Sequence, residues 1–135
     1  MTRGQHVDKI RVIIVDDEEE FVQALVERVQ LRGMAVEGFT SGTAAMKEME
    51  QKDFDVAVLD VRMPGLGGLD IVADIKRRWP ERQVILLTGH GSAEDAEKGM
   101  RLGACHYLMK PIHIEQLVEI LQQVAGPGQK EQGDE

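Results

Sequence analysis

The chain has 135 residues, enough for one domain around a single core. Acids outnumber bases 24 to 16, for a formal charge of −8, and aromatic residues make up only 4%. Nucleic-acid binding by a general positive field or by base stacking is therefore not expected. A single cysteine excludes an internal disulfide and a cysteine-built metal site. No apolar run approaches the ~18 residues of a membrane span. The opening MTRGQHVDKI lacks an apolar signal core, so the expected setting is the cytoplasm, away from membranes.

Residues 1–8 are polar and read as a flexible N-terminus. Ile10–Val15 is the first apolar run; with Val56–Leu59 and Val84–Leu87 it is rich in Val, Ile and Leu without polar alternation, as strands buried on both faces are. Phe21, Leu25 and Val29 then recur at helical spacing, widened by Val22, Ala24 and Val26, with Gly33 as the stop. The next run, Met34–Phe39, is the weakest and reads as an edge or short strand. Ser41 opens a helix carrying Ala45, Met46 and Met49. After the third strand, Gly65, Gly67 and Gly68 mark a loop without a dinucleotide fingerprint. Leu69, Val72, Ala73 and Ile75 form the third helix, ending before Trp79–Pro80. Ser92 and Asp95 form a capping-box pair ahead of Ala96 and Met100. Cys105–Met109 is the fifth strand. Leu117, Ile120, Leu121 and Val124 stripe the last helix, which stops at Gly126–Pro127. Met34, Met46, Met49, Met63, Met100 and Met109 are read as core filling, and Cys105 as a small buried hydrophobe. Residues 126–135 read as a disordered tail or linker.

Strands alternating with helices imply right-handed crossovers and a doubly wound α/β domain over residues 9–125, with five parallel strands and helices on both faces. Ligands of such sheets bind beyond the carboxyl ends of the strands. There the sequence places Asp16 and Asp17 after the first run, Asp60 after the third, Thr88 after the fourth and Lys110 after the fifth. In a strand order 2-1-3-4-5 the first and third strands are neighbours, so the three acids converge. Two carboxylates about 5 Å apart repel by roughly 3 kcal/mol at an effective dielectric of ~20. Lys110 offsets one charge; Mg²⁺, a hard cation that takes oxygen ligands and keeps several waters, suits the rest. Acids, a lysine and a threonine around such an ion make a phosphoryl-handling set, with a carboxylate as nucleophile.

Val-Asp-Asp at 15–17, Val-Leu-Asp at 58–60, Met-Pro-Gly at 63–65, Leu-Thr-Gly at 87–89 and Lys-Pro at 110–111 resemble the receiver domain of two-component response regulators, over about Ile10 to Ala125. Each motif is weak alone; five in order are specific. The stretch Leu87–Pro111 looks most like receivers of enhancer-binding activators and hybrid kinases. The resemblance implies a flavodoxin-like three-layer sandwich of order 2-1-3-4-5. It makes Asp60 the phosphoacceptor, Asp17 the direct Mg²⁺ ligand, Asp16 a ligand acting largely through water, and the Arg62 backbone carbonyl a further ligand. It makes Thr88 and Tyr107 the switch pair and Lys110 the contact to the phosphoryl group, and the Lys110–Pro111 bond cis. The side chains of Arg62 and His90 would flank the phosphoryl group and tune its lifetime. The implied donor is a histidine kinase or histidine phosphotransfer protein. The implied output surface, for an effector or a second copy, is the fourth helix, fifth strand and fifth helix, including Ala93–Leu102 and His113–Val124. His113 departs from the Asp, Ser or Asn that often caps the last helix in this family.

Two other classes remain. A haloacid-dehalogenase-type phosphohydrolase needs Asp-x-Asp after its first strand, where this chain has Val15-Asp16-Asp17-Glu18, and a cap domain. A pseudo-receiver used only for binding would have no need of every chemical position being filled.

Overall fold

Five parallel strands form one sheet in the order β2-β1-β3-β4-β5. They are β1 Arg11–Val15, β2 Ala35–Phe39, β3 Val56–Asp60, β4 Gln83–Thr88 and β5 His106–Met109. The helices are α1 Glu19–Gln30, α2 Gly42–Gln51, α3 Gly68–Arg78, α4 Ala93–Leu102 and α5 Ile114–Ala125. This computed structural model describes residues 9–89 and 93–125. The expectations for residues 1–8 and 126–135, for Ser92 and for His90 lie outside the described residues.

The three purest apolar runs are the three central strands: β3 is buried throughout, and β4 after Gln83. The weak second run is an edge strand, β2, with a mixed burial pattern. Side chains alternate across a strand, and this divides the core into two layers. Val12, Ile14, Val58, Ile85 and Leu87 pack with Leu25 and Val29 of α1 and Leu117 and Leu121 of α5. Ile13, Val15, Leu59, Val84 and Leu86 pack with Met46 and Met49 of α2 and Ile71, Val72 and Ile75 of α3. α4 rests beside α3 against β4.

Helix ends follow local chemistry. Gly33 holds φ +90°, the left-handed conformation a helix stop demands. The Ser41 hydroxyl accepts the Ala44 amide at 3.2 Å and caps α2. Ser41→Ala is expected to lower stability by about 1 kcal/mol, seen as a lower urea midpoint with unchanged slope; an unmoved midpoint would mean the cap is idle. Gly68 opens α3 so close to β3 that a methyl group there would strike the Asp60 carbonyl.

Four burial expectations need correction. Met100 is 37% and Met109 60% exposed. α4 buries Ala96 and Gly99 instead, small residues that let it lie close on Leu86. β5 is an edge strand, and of its residues only Leu108 is buried. Ala73 is exposed because the buried stripe of α3 runs through Ile71, Val72 and Ile75. Cys105 is only partly buried; its Sγ donates to the Val84 carbonyl at 3.4 Å.

Candidate functional site

Strand register assembles the site. Val15 of β1 pairs with Leu59 of β3, so the next residues, Asp16 and Asp60, lie side by side. Asp60 pairs with Leu87 of β4, and Thr88 with Met109 of β5. One step beyond that, Lys110 donates its amide to the Thr88 carbonyl at 2.8 Å. Residues nearly a hundred positions apart therefore share one rim.

Oxygens of Asp16, Asp17 and Asp60 all lie within 4.8 Å of one another, and each residue offers one ligand atom. Asp16 is fully buried and Asp60 nearly so, while Asp17 is exposed. The Asp16 Oδ1 atom accepts the Glu18 amide at 3.0 Å, turning the chain into α1. The Asp60 Oδ1 atom accepts the Arg62 amide at 3.2 Å. Lys110 Nζ lies 2.7 Å from Asp16 Oδ2, 3.4 Å from Glu18 Oε1 and 3.8 Å from Asp60 Oδ2.

One lysine does not balance three acids. Burial, then the charge of Asp16, push the Asp60 carboxyl up to about 6, against the pull of Lys110 and the Arg62 amide. Burial also raises Asp16, opposed by its bond to Lys110. For Lys110, burial works against the charged form, but Asp16 and Asp60 outweigh it and the ammonium is held more tightly than usual. Excess negative charge on an all-oxygen donor set is what a hard divalent cation neutralises, so these residues fit Mg²⁺.

Thr88 is buried, and its hydroxyl donates to the Leu108 carbonyl at 3.4 Å. Tyr107 is 44% exposed. The Lys110–Pro111 peptide is cis. His113 precedes α5, and its carbonyl accepts the Gln116 and Leu117 amides.

Comparison with known proteins shows the family. The family described as the response regulator receiver domain matches residues 12–122. The chain belongs to the response regulator receiver family. This receiver is 31% identical over 126 residues to the response regulator protein FleR of Pseudomonas aeruginosa, covering 91% of the chain and 27% of that protein. It is 33% identical over 108 residues to the transcriptional regulatory protein TctD of Salmonella typhimurium, covering 80% of the chain and 48% of that protein. It thus spans about a quarter to a half of these curated relatives. Among solved structures, a response regulator receiver domain from Clostridium thermocellum superposes with a TM-score of 0.85 at 29% identity, covering 90% of this chain and 98% of that one. The Vibrio cholerae chemotaxis protein CheY4 superposes at 0.80 with 30% identity, covering 86% and 98%.

Three residues join the receiver's site that sequence reasoning placed elsewhere. Glu18 reads as a first-turn acid, yet it is the N-cap residue of α1 and reaches Lys110. Phe21 belongs to an apolar helix stripe, yet its ring centroid lies 4.6 Å from Lys110 Nζ. Asp95 reads as half of a capping box, yet its Oδ2 accepts Arg62 Nε at 2.9 Å. Periodicity carries no signal for these contacts, because each depends on a strand or loop brought in from far along the chain.

Proposed function

We propose that this receiver accepts a phosphoryl group on Asp60 from the phosphohistidine of a sensor kinase or phosphotransfer protein. An Asp60 carboxylate oxygen attacks phosphorus, the P–N bond breaks, and the electron pair leaves with the imidazole. The observation carrying this reading is the convergence of buried Asp60 with Asp16, Asp17 and Lys110 on one rim. Asp17, Asp16, Asp60 and the Arg62 backbone carbonyl would hold Mg²⁺, which when bound screens the negative charge of the incoming phosphoryl group. Lys110 supplies a point charge to phosphoryl oxygens. Thr88 is buried beside the acceptor, and its rotation toward a phosphoryl oxygen opens space for Tyr107, a two-state change.

The resulting output is a changed α4–β5–α5 face, where Met100, Tyr107 and Met109 stand exposed. That face serves an effector or a second copy. Residues 9–125 form the switch itself. The domain works in the cytoplasm, does not bind nucleic acid directly, and turns over no external substrate. Among the described residues no helix is long and apolar enough to cross a membrane.

Incubation with acetyl phosphate, with and without Mg²⁺, tests the reading. Expected is one Mg²⁺-dependent phosphoryl group, mapped to Asp60. No labelling would leave a binding-only pseudo-receiver, and steady hydrolysis of small phosphate esters would favour the phosphohydrolase. Asp17→Asn should weaken Mg²⁺ affinity at least tenfold, the smallest effect typical of losing even an outer-shell partner. Unchanged affinity in a titration would remove Asp17 from the ligand set.

A further inference from the structure

The side chain of Arg62 leaves the acidic rim. Its amide borders the Asp60 carboxylate, at 3.2 Å from Oδ1, but its guanidinium crosses to α4 and donates from Nε to Asp95 Oδ2 at 2.9 Å. Asp95 sits in the first turn of α4. A single arginine therefore ties the loop after β3 to the helix that leads the proposed output face.

We propose that Asp95 holds the Arg62 guanidinium on α4 while Asp60 is unmodified, and yields it to the phosphoryl oxygens when Asp60 is phosphorylated. This rests on the phosphoacceptor reading. A phosphoryl group offers three strong acceptors and more negative charge than one carboxylate, and the guanidinium fork suits two of them at once. Asp95 tolerates the loss, because the positive end of α4 and solvent both still reach it; its side chain is 23% exposed. Arg62 thus exchanges one anion for a stronger one. The exchange cuts the tie to the first turn of α4 in the same event that neutralises the phosphoryl group. Asp95 is a positioning residue, acting on the acceptor site only through Arg62.

The test titrates beryllofluoride, a phosphoryl mimic, with Mg²⁺ present, into the wild type, Asp95→Asn, Arg62→Gln and the double variant. NMR follows the backbone and the Arg62 Nε signal. An exposed ion pair sets the scale of the effect. Asp95→Asn, with that ion pair removed, should bind the mimic about threefold more tightly than wild type. Arg62→Gln should bind it more weakly. Adding Asp95→Asn to Arg62→Gln should change nothing further, since the residue it acts through is gone. The Arg62 Nε signal should move with saturation in the wild type. An equal Asp95→Asn effect in both backgrounds would show that it acts through the helix and not through Arg62, and would overturn the exchange. So would an Arg62 Nε signal that stays still at saturation. If none of the four proteins binds beryllofluoride and none is labelled by acetyl phosphate, the phosphoacceptor reading itself fails and takes the exchange with it. Normal binding with either overturning pattern sinks the exchange alone.

Discussion

Asp60→Asn is expected to abolish acetyl phosphate labelling and, in the absence of metal, to make the protein more stable. The carboxyl rises on folding from 3.8 to about 6, chiefly through burial and then through Asp16. That rise corresponds to about 3 kcal/mol of destabilisation once the group is ionised. The sign fixes the pH window. Below about pH 4 the carboxyl is protonated folded and unfolded, and the wild type loses nothing. Between about 4 and 6 the unfolded chain releases the proton while the folded chain retains it, so wild-type stability falls as pH rises. Above about 6 the full penalty applies. Asparagine never ionises, so the stability gap between variant and wild type should open from pH 4 to 6 and then stay flat. Mg²⁺ should narrow it by binding the wild type more tightly than the variant. Urea midpoints across pH 4–8 measure this. A gap that shrinks with rising pH, or full labelling of the variant, would refute it.

Lys110→Met is expected to act in the opposite sense. Lys110 is the cation lying 2.7 Å from buried Asp16 and 3.8 Å from Asp60. Removing one partner of a buried pair leaves an uncompensated charge, at about 3–5 kcal/mol when burial is complete. Lys110 retains 22% side-chain exposure, so about 3 kcal/mol is expected at pH 7. The loss should fade as pH falls and the acids protonate, and should shrink on adding Mg²⁺. It should also shrink in the Lys110→Met/Asp16→Asn double variant, because the charge left stranded is gone. A variant as stable as the wild type at pH 7, or a double variant less stable than the single, would show that Lys110 compensates nothing.

Much of this arrangement was legible in the chain because strand termini are local signals. An apolar run ending in Asp60 or Thr88 carries its rim position with it, and the α/β alternation supplies the topology that gathers those ends. The weak second run was legible as an edge for the same reason. Burial on the outer elements was not. Met100 and Met109 are apolar residues in regular elements, and nothing in their spacing says that α4 approaches the sheet through Ala96 and Gly99, or that β5 ends the sheet. Likewise, Arg62–Asp95 and Lys110–Phe21 join segments 33 and 89 positions apart. Such pairs are set by how loops and helices settle on the finished sheet.

β5 has four residues and one strand neighbour, and Lys110 follows directly from its end. Edge strands are among the first segments to open locally. When β5 lifts away, the Lys110 amide loses the Thr88 carbonyl and the Lys110 ammonium leaves the carboxylates together. Hydrogen exchange at that single amide therefore reports how often the rim stands without its counter-charge. Protection there should fall with Mg²⁺ and in Asp60→Asn, either of which takes away charge that Lys110 offsets, whereas the central β1 and β3 amides, which open with the whole fold, should gain protection.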